Sequence, residues 1–315
     1  MTRSSRGAHA AEVPRQDGTA STGHAAGTPG APDVGDATAD AAAPGPAGTR
    51  PDGAGAGPRG SASTWLLPLV GVVVTVLVFE LAPRVGLVDR RFLPPASNMF
   101  TALWQSVTDG SLWRPIGQTL EGWALGLGTA LVIALPLGIL IGSVSLLFMA
   151  TRTIVEFLRP IPSVALIPLA VLVFGAGLQS KWFLASFAAT FPILLQTLYG
   201  VRDVDPVAVE TARSFGISTP QRLWRVVVPS ALPYIVTGVR ISSAVALILS
   251  VTAELVLGAP GLGQQINVAR QSGAVDLMYG LIIVTGLIGW VLNIVLSIAE
   301  RRLLHWHASQ RERNR

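Results

Sequence analysis

Asp203-Val204-Asp205-Pro206-Val207-Ala208-Val209-Glu210-Thr211-Ala212-Arg213-Ser214-Phe215-Gly216 is a polar island between two long apolar runs. Asp205 can cap a helix whose first residue is Pro206, because that ring presets the helical φ where no N–H partner is needed. Gly216 can end the helix in the left-handed conformation. A second helix follows, with Ser218 or Thr219 as its cap and Pro220 at its start. Ser218 and Gln221 also have capping-box spacing, so the start stays open between them. This helix is expected to run to Val228 and to be interrupted by Pro229. The predicted loop is a short helix, a glycine corner and a second helix leading into the next apolar run. Ala208 and Ala212 share one face of the first helix, beside the charged Glu210 and Arg213. That face suits either docking into another protein's groove or an ordinary solvated loop.

The flanking runs set the class. Of 315 residues, 50% are hydrophobic and 13% charged, about half the charge of a soluble domain. Mean hydropathy is +0.53. A bilayer can absorb that much apolar surface, so the chain is predicted to be an all-α membrane protein with about six transmembrane helices. The expected spans are 65–81, 119–143, 153–175, 182–199, 232–257 and 277–299, the third broken near its start by Pro160 and Pro162. A short amphipathic stretch at 99–107 is expected to lie at the interface. Span two carries Gly122, Gly126, Gly128, Gly138 and Gly142, small residues that let helices approach closely in lipid.

Residues 1–63 have almost no large apolar side chains and read as a disordered cytoplasmic tail. They precede a membrane domain at 64–304 and a basic cytoplasmic end at 305–315. Arg202, Arg213, Arg222 and Arg225 lie between spans four and five, and more arginines follow span six. The positive-inside rule then makes that loop and both termini cytoplasmic. The arginines between spans one and two dissent from it. The net charge of +5 follows membrane topology, so nucleic acid is not expected as a partner. With no cysteine, disulfides, thiolate metal sites and a cysteine nucleophile are excluded.

Glu210-Thr211-Ala212, three residues, Gly216, nine residues, then Val226-Val227-Val228-Pro229 resembles the EAA loop of ABC importer permeases. That pattern is Glu-Ala-Ala-x3-Gly-x9-Ile-x-Leu-Pro. Thr211, Val226 and Val228 depart from it conservatively. Leu93-Pro94-Pro95-Ala96-Ser97, Arg159-Pro160-Ile161-Pro162-Ser163, Phe191-Pro192-Ile193, Ala253-Glu254 and Gly261-Leu262-Gly263 extend the likeness to the nitrate/sulfonate/taurine branch. The resemblance implies a type I, MetI-like permease architecture in the plasma membrane of a prokaryote. It implies two ATPase subunits, a second copy of the permease in a homodimer, and an extracytoplasmic solute-binding protein. Glu210, Thr211, Ala212, Arg213, Gly216 and Pro229 would form the loop that couples to the ATPase. Glu210 and Arg213 would orient its helix, Ala212 would permit close approach, and Gly216 would turn the corner. The implied cargo is a small anionic or polar solute, an aliphatic sulfonate, taurine or nitrate. Similar permeases serve thiamine precursors and aromatic acids.

No P-loop is present: the lone Lys181 lies between Ser180 and Trp182, not between Gly and Ser or Thr. No carboxylate pair, Ser-His-Asp set or metal cluster is placed for chemistry. His305 and His307 lie on different faces of a helix. The chain is therefore expected to be non-catalytic and to hold no cofactor, with ATP and Mg in the partner ATPase. The alternative is a stand-alone secondary transporter or channel, which would carry ionisable groups at mid-membrane. Glu80, Glu121, Glu156 and Glu254 are its candidates, each near an expected span end. Glu254 is the deepest, and with Arg240 and Pro162 it lies either on a solute path or in a structural bond. Arg240 is expected to snorkel.

Overall fold

The computed structural model describes residues 62–158 and 160–304. Arg159, the end at 305–315 and the tail at 1–63, apart from its last two residues, lie outside them. The regular elements among the described residues are all helices, with no strand. In chain order they form α1 (Ala62–Arg84), α2 (Ala96–Thr108), α3 (Trp113–Ser143), α4 (Ser145–Leu158), α5 (Ile167–Phe174) and α6 (Leu178–Arg202). After these come α7 (Pro206–Ser214), α8 (Thr219–Arg222), α9 (Val228–Leu257), α10 (Leu262–Gln271) and α11 (Val275–Leu303).

Four runs among the described residues are long and apolar enough to cross a membrane: α3, α6, the run through α9, and α11. They coincide with expected spans two, four, five and six. α1, 23 residues long, covers expected span one and packs chiefly on α2. Its large side chains from Leu69 to Leu81 are exposed, as a lipid-facing helix requires. Expected span three has the break anticipated near its start, and its first part begins earlier, at Ser145. It is two short helices, α4 and α5, joined through a 3-10 turn at Ser163–Leu166 and bent by 81°. Pro160 and Pro162 supply no N–H and disfavour helix in the residues before them. α4, with 14 residues, is about 21 Å long, too short to cross alone. The connection between α9 and α11 contains α10.

The centre is α3, α6 and α9, each packed on the others. Small residues make that possible. A Cβ on Gly126 would lie 2.5 Å from the Ala185 methyl, and one on Gly138 would lie 2.8 Å from Thr197 Cβ. Gly122 and Gly142 face α6 likewise, against Lys181 and Val201, whereas Gly128 meets open space. Hydrogen bonds cross the same seams. Trp123 Nε1 donates to the Ser243 carbonyl (3.1 Å), Trp182 Nε1 to Thr129 Oγ1 (2.8 Å), and Ser242 Oγ to the Ala189 carbonyl (2.6 Å).

Gly126→Val is expected to push α3 off α6 and to destabilise the protein by about 1–3 kcal/mol, as overpacking does. Gly128→Ala should stay within about 0.5 kcal/mol. Thermal unfolding in detergent reads both, and an unchanged Gly126→Val would refute the close approach.

Candidate functional site

The polar loop folds from its local chemistry. The Val207 N–H donates to Asp205 Oδ1 at 2.8 Å, capping α7 with Pro206 in its first turn. At the other end the Ile217 N–H reaches the Ala212 carbonyl (3.1 Å) and the Gly216 N–H the Arg213 carbonyl (3.0 Å). That pair of bonds is a Schellman closure, and it puts Gly216 at φ 72°. A Cβ there would meet nothing within 4 Å, so glycine answers to the backbone angle alone. Ser218 takes the cap position of α8, without a side-chain bond to the helix.

Pro229 does not interrupt the second helix. Residues Leu223–Val227 form a π turn, and Pro229 follows as the second residue of α9. The wider turn accommodates the missing N–H and the ring. Tyr234 Oη donates to Asp203 Oδ2 at 2.6 Å, tying the start of α9 to the residue after α6. The Arg202 guanidinium lies 3.9 Å over the Phe148 ring, tying α6 to α4.

Exposure sorts the loop's residues. Glu210, Thr211 and Arg213 face outward. Ala212 does not: it is 6% exposed, where α7 packs on α8 and the π turn. The expectation that it permits close approach of a partner is therefore corrected, and Ala208, on the same face by sequence, stays exposed. The outward apolar groups are Val207, Phe215 and Trp224, at 69%, 81% and 66% exposure. Sequence reading passed over them, although an aromatic on a polar loop was the available signal.

A second constellation lies at the far end of α6 and α9. Glu254 is fully buried and Lys181 is 1% exposed. Lys181 Nζ donates to Glu254 Oε1 (3.0 Å) and to the carbonyls of Gln118 (2.8 Å) and Pro260 (2.9 Å), which uses all three ammonium protons. Glu254 Oε2 accepts from Thr119 Oγ1 and from the Gly263 N–H, both at 2.9 Å. Thr119 Oγ1 in turn accepts from the Leu262 N–H at 2.9 Å. The Cβ atoms absent from Gly122 and Gly261 leave room for the lysine stem and the carboxylate. Of the two readings open for Glu254, a solute path or a structural bond, it makes the bond: it is held in the interior by a lysine the sequence reading did not pair with it. Above the network lies a cavity of about 500 Å³ lined by Arg114, Gln118, Pro260, Gln264 and Gln265. Asp109 at its rim is held below the usual carboxylate range, first by the Ser111 backbone N–H.

The other candidates stand apart. Arg240 lies about 21 Å along α9 from Glu254. It bonds Asn293 Oδ1 (2.9 Å) and pairs with Glu300 (3.5 Å), both on α11. It borders a cavity of about 470 Å³ between α9 and α11. Pro162 opens the 3-10 turn at the α4–α5 bend and is exposed. Glu80 bonds Arg84 and Ser97, Glu156 bonds Arg152, and Glu121 is exposed. Among the described residues no group of His, Asp or Glu could hold a metal.

Residues 134–305 match the family described as binding-protein-dependent transport system inner membrane component. The taurine transport system permease protein TauC of Escherichia coli is 34% identical over 226 residues, 70% of this chain and 82% of that protein. The putative aliphatic sulfonates transport permease protein SsuC of the same organism is 33% identical over 249 residues, 78% and 92% respectively. An inward-facing structure of the MetNI methionine ABC transporter superposes with TM-score 0.54 at 22% identity, covering 61% of this chain and 95% of that one. This last likeness is one of fold.

Lys181→Met would leave the Glu254 carboxylate uncompensated in the interior. It is expected to destabilise the protein by roughly 3–5 kcal/mol, read as a lowered melting temperature in detergent. A melting temperature equal to wild type would show that the pair is not closed.

Proposed function

Given that this chain belongs to the family of binding-protein-dependent transport system inner membrane components, we propose that it imports an aliphatic sulfonate or taurine with ATP hydrolysed by a separate subunit. The chain is a membrane-embedded, multi-pass permease, the transmembrane subunit of an ABC importer. The observation that carries the substrate reading is the similarity to two sulfonate-class permeases over most of the chain.

The partners follow from the loop. Two ATPase subunits, which bind ATP and Mg, grip α7 on each of two permease copies. A binding protein delivers solute at the opposite face. Val207 and Phe215 supply apolar contact, and Glu210, Thr211 and Arg213 supply polar contacts that orient the helix. Gly216 and the π turn set the angle at which the loop passes force into α9. The loop and both termini lie on the cytoplasmic side by arginine density. A stand-alone secondary transporter fits less well, because its deepest carboxylate, Glu254, already has every bond it needs.

A strain lacking this gene is expected to grow on sulfate but not on taurine or an alkanesulfonate as sole sulfur source, with growth restored by the gene. Restored growth on neither sulfonate would refute the substrate reading. In the cysteine-free chain, Phe215→Cys is expected to crosslink to a separate ATPase subunit. Repeated failure, with the thiol shown accessible, would count against docking. Gly216→Val, strained at positive φ, should lower solute moved per ATP hydrolysed by about tenfold; a normal ratio would remove the corner from the mechanism.

A further inference from the structure

We infer that Lys181, Glu254 and Thr119 are positioning residues for transport: they fasten α10 to the two helices that carry the coupling loop, so that the loop's displacement reaches α10 undivided. This rests on the importer reading above.

α6 ends at the loop and α9 begins from it. From there the two helices are joined along their length. Tyr234 bonds Asp203 at 2.6 Å, and a Cβ on Gly200 would lie 2.7 Å from Tyr234 Cβ. A Cβ on Gly238 would lie 2.9 Å from Gln196 Cβ. Ser242 bonds the Ala189 carbonyl at 2.6 Å, and Glu254 bonds Lys181 at 3.0 Å. From Tyr234 to Glu254 the ladder is about 30 Å long. At Gly200 and Gly238 the approach is so close that no side chain of the glycine's helix stands between the two to absorb a relative shift.

Beyond Glu254 the chain would be free to hinge. α9 stops at Gly258, which is left-handed at φ 69°, and Gly261 follows at φ 153°. The network closes that hinge. It accepts two backbone N–H groups at the start of α10, Leu262 to Thr119 and Gly263 to Glu254. It donates to the Pro260 carbonyl from Lys181. Only a group set with both donors and acceptors can hold all three. A buried pair that merely filled space could be replaced by apolar side chains; the glycine corner is what needs the charges. Thr119 adds α3 to the bond, so three helices converge on the first turn of α10. α10 then touches α11 and lines the polar cavity with Gln264 and Gln265.

The test uses the whole transporter, reconstituted in liposomes with its ATPase and binding protein, with taurine as the probe. The readouts are taurine moved per ATP hydrolysed and the melting temperature. The double variant Lys181→Met/Glu254→Leu removes both charges together. Thr119→Val removes one hydroxyl and Thr119→Ser keeps it. The double variant and Thr119→Val are expected to hydrolyse ATP yet lose about tenfold in coupling ratio, while Thr119→Ser matches wild type. Wild-type ratios in the first two, whatever their melting temperatures, would overturn the proposal. Should the double variant not fold, Thr119→Val decides.

Spin labels at Gln265→Cys on α10 and Tyr199→Cys on α6, both exposed positions, give an independent reading. Their separation is expected to stay constant between nucleotide-free and ATP-bound states, and to broaden in Thr119→Val. A separation that changes with nucleotide in the otherwise wild-type chain would overturn the link. A wild type that moves no taurine would sink the sulfonate reading instead, and the label distances would still judge the link.

Discussion

A lysine ammonium and a glutamate carboxylate can share the interior of this bundle only because all three ammonium protons and both carboxylate oxygens are bonded. Desolvating one such charge without a partner costs several kcal/mol, and the low dielectric that strengthens the pair would punish any gap in it. The arrangement therefore constrains much else. It requires glycine at 122 for the lysine stem and at 261 for the carboxylate. It requires Thr119 to donate and accept at once. It requires α10 to start where its free N–H groups meet those oxygens. Four helical elements are placed by one polar contact.

The polar loop between α6 and α9 is held by the opposite kind of force. Its geometry comes from caps, a glycine corner and one wide turn, all within a short stretch of chain. Little of its surface is buried, and its aromatic groups point away from the bundle. A segment of that kind is cheap to displace and easy to grip. The helices it joins are zipped by small residues and are not. The molecule thus pairs a compliant handle with stiff arms.

How much of this could be read beforehand follows from sequence distance. Asp205, Pro206 and Gly216 act on neighbours within a few residues, so the cap, the start and the corner were all legible. The apolar runs were legible because length and composition decide spans. The Lys181–Glu254 bond joins positions 73 residues apart, and no periodicity connects them. The one hint was that the chain's sole lysine opens an apolar run, which begs for an opposite charge in another. Prolines told where the third apolar segment breaks, but not that it would bend by 81°. Pro229 misled because a local rule assumes a regular turn before it. Ala212 misled because an amphipathic face does not say which side of it is inside.

The wide turn before Pro229 also fixes a phase. A π turn holds one residue more than the α turn it replaces, and each residue on a helix subtends about 100°. Counting from the loop, every side chain of α9 is thereby set back by about that angle, into the place its predecessor would have held. The shift brings Tyr234 to Asp203, Ser242 to Ala189 and Glu254 to Lys181. A regular turn in its place would offer α6 the neighbouring residues, Pro233, Ile241 and Ala253 among them. The irregularity works as an index notch, setting which lettering on a long cylinder comes into view.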